Sequence, residues 1–437
     1  MAIYEQPAQL LQRLIRFNTT NLPGNEAECV RYIQSVLSEA GIEATLVAKD
    51  AQRPNLVARL KGRGDAAPLL LQGHVDVVTT AHQNWKYPPF DAVEAEGFIW
   101  GRGALDMKGG VAMMLSAFLR ARAENTELPG DVILTILSDE EVGGEYGARY
   151  LVENHAHLFE GVRYALGEFG GFTMYLGGKR FYPIQMLEKQ CSTIQATLSG
   201  PAGHGSLPMR GGAMAKLGRM LNKLDTQRLP VHIGPVMELM IQSISGAMPE
   251  PLQSLLLQLL DPSKTDEILD MLGSIGGTLD ALLHNTVNAT TVQGGEQINV
   301  IPGQVTVKMD GRLLPGFTPE QMLTELQAVI GDEAELEVTY FDVGSTQADM
   351  ALYETLAGIL REDDPEGVPI PYMMPAVTDG RFFSRLGIQT YGFLPVRLPE
   401  DFDFMSTIHA ANERIPVESL HTGADAVYRA LQRFGGR

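Results

Sequence analysis

Residues 69–78 read "LLLQGHVDVV". Leu69, Leu70 and Leu71 form a short apolar run between Pro68 and Gly73, the pattern of a buried strand. His74 and Asp76 then interrupt it among Val75, Val77 and Val78. Residues two apart on a strand share a face, so the two polar groups point to one place. Titratable groups in an apolar segment are costly unless paired or ligated. The segment alone leaves two readings open, a site or a satisfied core pair.

The flanking segments alternate between strand and helix patterns. Helical periodicity runs through residues 5–40, with Leu10, Leu11, Leu14 and Ile15, then Val30, Ile33, Val36 and Leu37. "IEATLVA" and "PNLVARLKG" read as strands and "MKGGVAMMLSAFLRARAE" as a helix. "DVILTILSDEE" and "RYALGEFGG" are strands that end in acids. This alternation predicts an α/β layer architecture with a mostly parallel sheet. Ligands of such sheets sit at the carboxyl ends of the strands, where the acids lie.

From about residue 189 the texture changes. "KQCSTIQATLSG" alternates like a half-exposed strand. A helix at "GGAMAKLGRMLNKLD" follows, then strands at "NATTVQGGEQINV" and "QVTVKMDGRLLP". A helix at "TPEQMLTELQAVIGD" comes next, with Thr318 as N-cap and Pro319 in its first turn, then a strand at "AELEVTYFDV". The order β-α-β-β-α-β is ferredoxin-like, with a Met- and Leu-rich helical insert at about 235–285. The expected organisation is a catalytic domain in two parts, 1–188 and 347–437, with an α+β lid inserted at 189–346.

Bulk numbers narrow the function. A chain of 437 residues exceeds one compact core. With 44% hydrophobic and 20% charged residues it is neither disordered nor fibrous. A net charge of −19 argues against nucleic acid and anionic membranes as partners. No apolar run is long enough to span a bilayer, and the N-terminus lacks a signal-peptide pattern. Cys29 and Cys191 are the only cysteines, which excludes a disulfide framework and fits a cytoplasmic protein.

Five segments place hard ligands at strand ends or loops. They hold His74 and Asp76, Asp106 in "GRGALDMKGG", Asp139, Glu140 and Glu141 in "SDEEVGG", Glu168 in "LGEFGG", and His409 in "IHAANERIP". Alone, Asp106 could cap a helix, the acidic run could be a solvated turn, and His409 could be structural. Together, two histidines and three carboxylates suit two divalent ions with one bridging carboxylate. Nitrogen and oxygen donors without thiolate favour zinc, with cobalt or manganese as alternatives.

The motifs "GHVDVV", "GRGALDMKGG", "DEEVGG", "GPAGHGS", "NVIPG", "TDGR" and "HAANERI", in this order, give the chain its resemblance to a family. It resembles the co-catalytic di-zinc peptidases and deacylases: aminoacylase, acetylornithine deacetylase, succinyl-diaminopimelate desuccinylase, glutamate carboxypeptidase and carboxypeptidase S. The resemblance covers nearly the whole chain. It implies a di-zinc exopeptidase catalytic domain with a lid that also dimerises, and two Zn2+ per subunit. His74 and His409 would each bind one metal, Asp106 would bridge, and Glu141 and Glu168 would be terminal ligands. Glu140 would be the general base for a water between the metals, and Asp76 would orient His74. His204 would reach a partner subunit's site to stabilise an oxyanion. Asn299 would contact substrate, and Arg312 or Arg381 would bind its carboxylate.

The implied reaction is hydrolysis of a peptide or N-acyl amide bond next to a free carboxylate, as in a carboxypeptidase or dipeptidase. The alternative is an N-acyl amino acid deacylase. A non-catalytic binding protein would have lost ligands, and here all are present. The lid motifs argue against a single-domain di-zinc aminopeptidase and a di-metal phosphoesterase. The remaining histidines, including His155 and His157 in "NHAHLF", read as surface or packing residues.

Overall fold

Leu69–His74 is a strand buried along its whole length, as its apolar run requires. It lies inside a nine-stranded sheet in a computed structural model that describes residues 2–436, the side chain of Ser274 aside. Four strands at the centre are parallel: Val132–Leu137, Leu69–His74, Tyr164–Gly167 and Gln389–Gly392. Outside them, Asn55–Leu60 with Ala44–Val47 and Lys179–Glu188 with Met174–Leu176 pair antiparallel. The parallel reading therefore holds for the centre and not for these outer pairs.

Val132–Leu137 and Leu69–His74 are buried on both faces, which is why their sequences are rich in Val, Ile and Leu. The helix Lys108–Ala123 is buried on nearly every side. Helices Pro7–Ile15 and Val417–Arg433 pack against it. Leu10, Leu11, Leu14, Val111, Leu115 and Phe118 are completely enclosed. Each such side chain contributes roughly 1.5–3 kcal/mol over an exposed one, and this core fixes the strand ends that carry the site.

The chain divides into two compact units. One comprises 1–186, 348–372 and 378–437, and the other 187–347 with 373–377. In the second, four antiparallel strands are ordered Thr286–Gln293, Gln304–Leu313, Gln190–Ser199, Glu335–Asp342. Helices Ala213–Thr226 and Pro319–Ile330 bury Met220, Met322, Leu326 and Ile330 with Ile194, Val305 and Val307. Thr318 caps the second helix, its hydroxyl accepting from Gln321 N while Gln321 Oε1 accepts from Thr318 N.

The strand read through "NATTVQGGEQINV" stops at Gln293, and an exposed loop runs from Gly294 to Asn299. The two glycines weaken strand pairing there. Residues 235–285 are helical, with Pro235–Ala247, Leu252–Leu257, Thr265–Leu272 and Ser274–Leu283. Buried Lys189 ties this insert to the sheet, donating to the carbonyls of Ala281 and His284 and to Thr286 Oγ1 at 2.9–3.0 Å.

Candidate metal centre

Three neighbouring parallel strands deliver the polar residues. His74 ends Leu69–His74, Asp139 to Glu141 follow Val132–Leu137, and Glu168 follows Tyr164–Gly167. A parallel sheet puts all three carboxyl ends at one edge, the usual place for a ligand. Asp106 precedes the buried helix Lys108–Ala123, and His409 lies in the loop before the strand Arg414–Pro416.

Two ligand triads result, and Asp106 belongs to both. His74 Nε2 lies 3.2 Å from Asp106 Oδ1 and 3.4 Å from Glu168 Oε2. His409 Nε2 lies 3.1 Å from Asp106 Oδ2 and 3.1 Å from Glu141 Oε2. Each carboxylate oxygen of Asp106 thus serves one histidine. His74 Nδ1 lies 3.0 Å from the main-chain carbonyl of Asp76 and so carries a proton, which makes Nε2, among the carboxylates, the nitrogen a cation would take.

Burial pushes the Glu141 carboxyl up to about 7, and the nearby Asp106 charge adds to this. Burial likewise raises Glu168 well above the ordinary range. Hydrogen bonds to Asp106 and Glu141 hold His409 up at about 10. Burial works against the charge on Asp106, yet His409 and His74 keep its pKa well below the usual range. Glu141 Oε1 is buried without a hydrogen-bond partner. So much converging acid beside two imidazole nitrogens, with no thiolate, fits a pair of divalent cations.

Glu140 stands beside this centre without joining either triad. Burial raises its pKa, while His74 and Arg381 pull it down. Arg381 Nη1 is 3.8 Å from Glu140 Oε1 and donates to the Thr378 carbonyl at 2.7 Å. Asp139, at φ 70, enters the turn in a left-handed conformation unusual for a non-glycine residue. Gly147 is indispensable to the same turn, because a Cβ there would sit 1.8 Å from the Ser138 carbonyl.

The chain is matched by the model of "Peptidase family M20/M25/M40" over residues 70–433. It belongs to that family. It is 31% identical over 444 residues to the succinyl-diaminopimelate desuccinylase of Paracoccus denitrificans, covering 98% of each chain. It is 26% identical over 378 residues to human N-fatty-acyl-amino acid synthase/hydrolase PM20D1, covering 84% of this chain and 74% of that protein. The M20 metallo-carboxypeptidase Sso-CP2 of Sulfolobus solfataricus shares the fold, with a TM-score of 0.70, 18% identity and coverage of 98% and 99%. The chain is an enzyme, a metallohydrolase.

The family member's other expected residues lie in the second unit. His204 is exposed in the short strand Gly203–His204, paired with Val300–Ile301. The Ser206 N–H donates to His204 Nδ1 at 3.2 Å, which assigns the proton of the neutral ring to Nε2. Asn299 is adjacent: its carbonyl accepts from Gly205 N at 2.8 Å. Arg312 grips Asp310 with both arms, at 2.8 and 3.0 Å. That pairing was open to a reader of "MDGR", because residues two apart on a strand share a face.

Several buried residues escaped the sequence reading. Asn21 Nδ2 donates to Asp76 Oδ2 at 2.9 Å and to Asp139 Oδ1 at 3.0 Å. Arg53 bridges Glu26 and Asp139 at 2.7 and 2.9 Å. Asp379, in "TDGR", is buried with neither carboxylate oxygen hydrogen-bonded, and burial followed by the Glu140 charge raises its pKa well above the ordinary range. Arg102 and Glu413 form a buried pair at 2.6 Å. Their only sequence signal was position, inside "GRGALD" and "HAANERI".

Proposed function

We propose that the chain hydrolyses a peptide or N-acyl amide bond adjacent to a free carboxylate. The carrying observation is the pair of triads sharing Asp106, with Glu140 beside them. His74, Asp106 and Glu168 would hold one cation and Asp106, Glu141 and His409 the other. Two divalent ions held there, zinc by donor set or else cobalt or manganese, would supply Lewis acidity for the amide carbonyl and would lower the pKa of water.

Glu140 takes a proton from the attacking water and returns it to the leaving nitrogen as the C–N bond breaks. Its raised pKa suits both transfers. The Nε2–H of His204 donates to the developing oxyanion. In this reading that histidine comes from a second copy, the chain being a homodimer through the unit that carries it. The exposed Leu207, Ile298 and Val300 around His204 support such a contact. Asn299 touches substrate. Arg381 binds the carboxylate, since the fork of Arg312 already holds Asp310. A content of only two cysteines, Cys29 and Cys191, fits a cytoplasmic setting.

A second reading, N-acyl amino acid deacylation, is favoured by the desuccinylase relative that matches over 98% of both chains. The test is a substrate panel after chelation and metal add-back. It contains dipeptides and N-acetyl, N-succinyl and long-chain N-acyl amino acids, each with its carboxyl-amidated analogue. Hydrolysis confined to the free carboxylates supports the proposal, and the preferred amide separates the two readings. Equal cleavage of amidated analogues, or no cleavage at all, contradicts both.

A further inference from the structure

Arg102 and Glu413 lie 311 residues apart, and each is 1% exposed. Glu413 Oε1 accepts the backbone N–H groups of Leu105 and Asp106 at 2.8 and 3.1 Å. Its Oε2 accepts Gly103 N at 3.0 Å together with Arg102 Nη1. One buried carboxylate therefore fixes the main chain that presents Asp106. Arg102 extends the grip: its Nη2 donates to the His409 carbonyl at 3.2 Å and to Gln83 Oε1 at 2.9 Å. Gln83 Nε2 donates to the same carbonyl at 2.9 Å.

The two histidines differ in what restrains them. His74 is buried and sits in a parallel ladder opposite Leu137. The His409 side chain is 52% exposed, and its backbone is left-handed at φ 61. A non-glycine residue persists there only when its surroundings hold it. The surroundings of its backbone include the two donors on its carbonyl.

We infer that Arg102, Glu413 and Gln83 act together as positioning residues for the Asp106–Glu141–His409 cation. Loosening the brace at His409 weakens that cation and spares the one at His74, Asp106 and Glu168. The inference rests on the reading of the two triads as cation sites. Groups that orient ligands typically set about 10–100-fold in metal affinity.

The test is calorimetric and visible-spectrum titration of the chelator-treated chain with Co2+. Gln83→Leu removes one donor from the His409 carbonyl at a half-buried position. Arg102→Lys keeps a charge for Glu413 but loses the fork that reaches His409. In both, one equivalent, that of His74, Asp106 and Glu168, should bind as in the parent with an unchanged d–d spectrum. The other equivalent should lose about 10-fold or more. Unfolding of the metal-free Gln83→Leu chain should match the parent, which separates positioning from damage to the fold. A parent that takes up two ions while both variants match it overturns the brace alone. A parent that takes up no pair overturns the cation sites and the brace with them.

Discussion

Asp76 Oδ1 accepts the backbone N–H of Glu140 at 3.1 Å. Its other oxygen accepts the N–H of Glu141 at 3.1 Å and Asn21 Nδ2 at 2.9 Å. The carboxylate stands 3.4 Å from His74 Nδ1, farther than Asp76's own carbonyl. Asp76 therefore organises the turn carrying Glu140 and Glu141 at least as directly as it orients His74.

Asp76→Ala should leave those amides without their acceptor. Unmet buried donors cost about 1–3 kcal/mol, and the turn presenting base and ligand should loosen. Urea unfolding and turnover measured together check this. Parental values for both would show that Asp76 does not hold the turn.

His204→Ala should leave the unfolding midpoint where it is, because the ring is exposed and, among the described residues, hydrogen-bonds to Ser206. Turnover should drop by about 10²–10³-fold, the usual cost of one oxyanion donor. Mixing this variant with Glu140→Gln under subunit exchange should restore activity if the histidine acts across a dimer. Full activity of His204→Ala, or a mixture that stays inactive, counts against that role.

Lys189 gives a pH dependence of stability. Burial brings its pKa down to about 7, with the nearby Arg312 adding to the effect. The unfolded chain, with an ordinary lysine, then binds more protons between that value and the usual lysine range. Stability should rise with pH across this window, and the penalty should be complete below about 7. Urea midpoints against pH for the parent and Lys189→Met check the sign. A slope that survives the substitution assigns it to another group.

The parts of this protein legible in its sequence are those set by local chemistry. "LLLQGHVDVV" and "DVILTILSDEE" announced buried strands ending in a histidine and acids, because the polar residues of a buried central strand gather at its carboxyl end. Thr318 announced its helix as an N-cap followed by Pro319. The antiparallel outer pairs gave no signal, since strand direction depends on connections and not on composition. Arg102 with Glu413, and Arg53 with Glu26 and Asp139, pair across long stretches of chain. No spacing rule reaches that far, so the network behind the site emerged only from the folded chain.

Glu140→Gln tests the central claim most directly. The variant keeps the side chain's size and leaves both triads intact, so it should still bind two ions in the Co2+ titration. It loses the base, so turnover should fall by about 10²–10⁴-fold. Two bound ions with turnover in that range support the account. Near-parental turnover with both ions bound would contradict it.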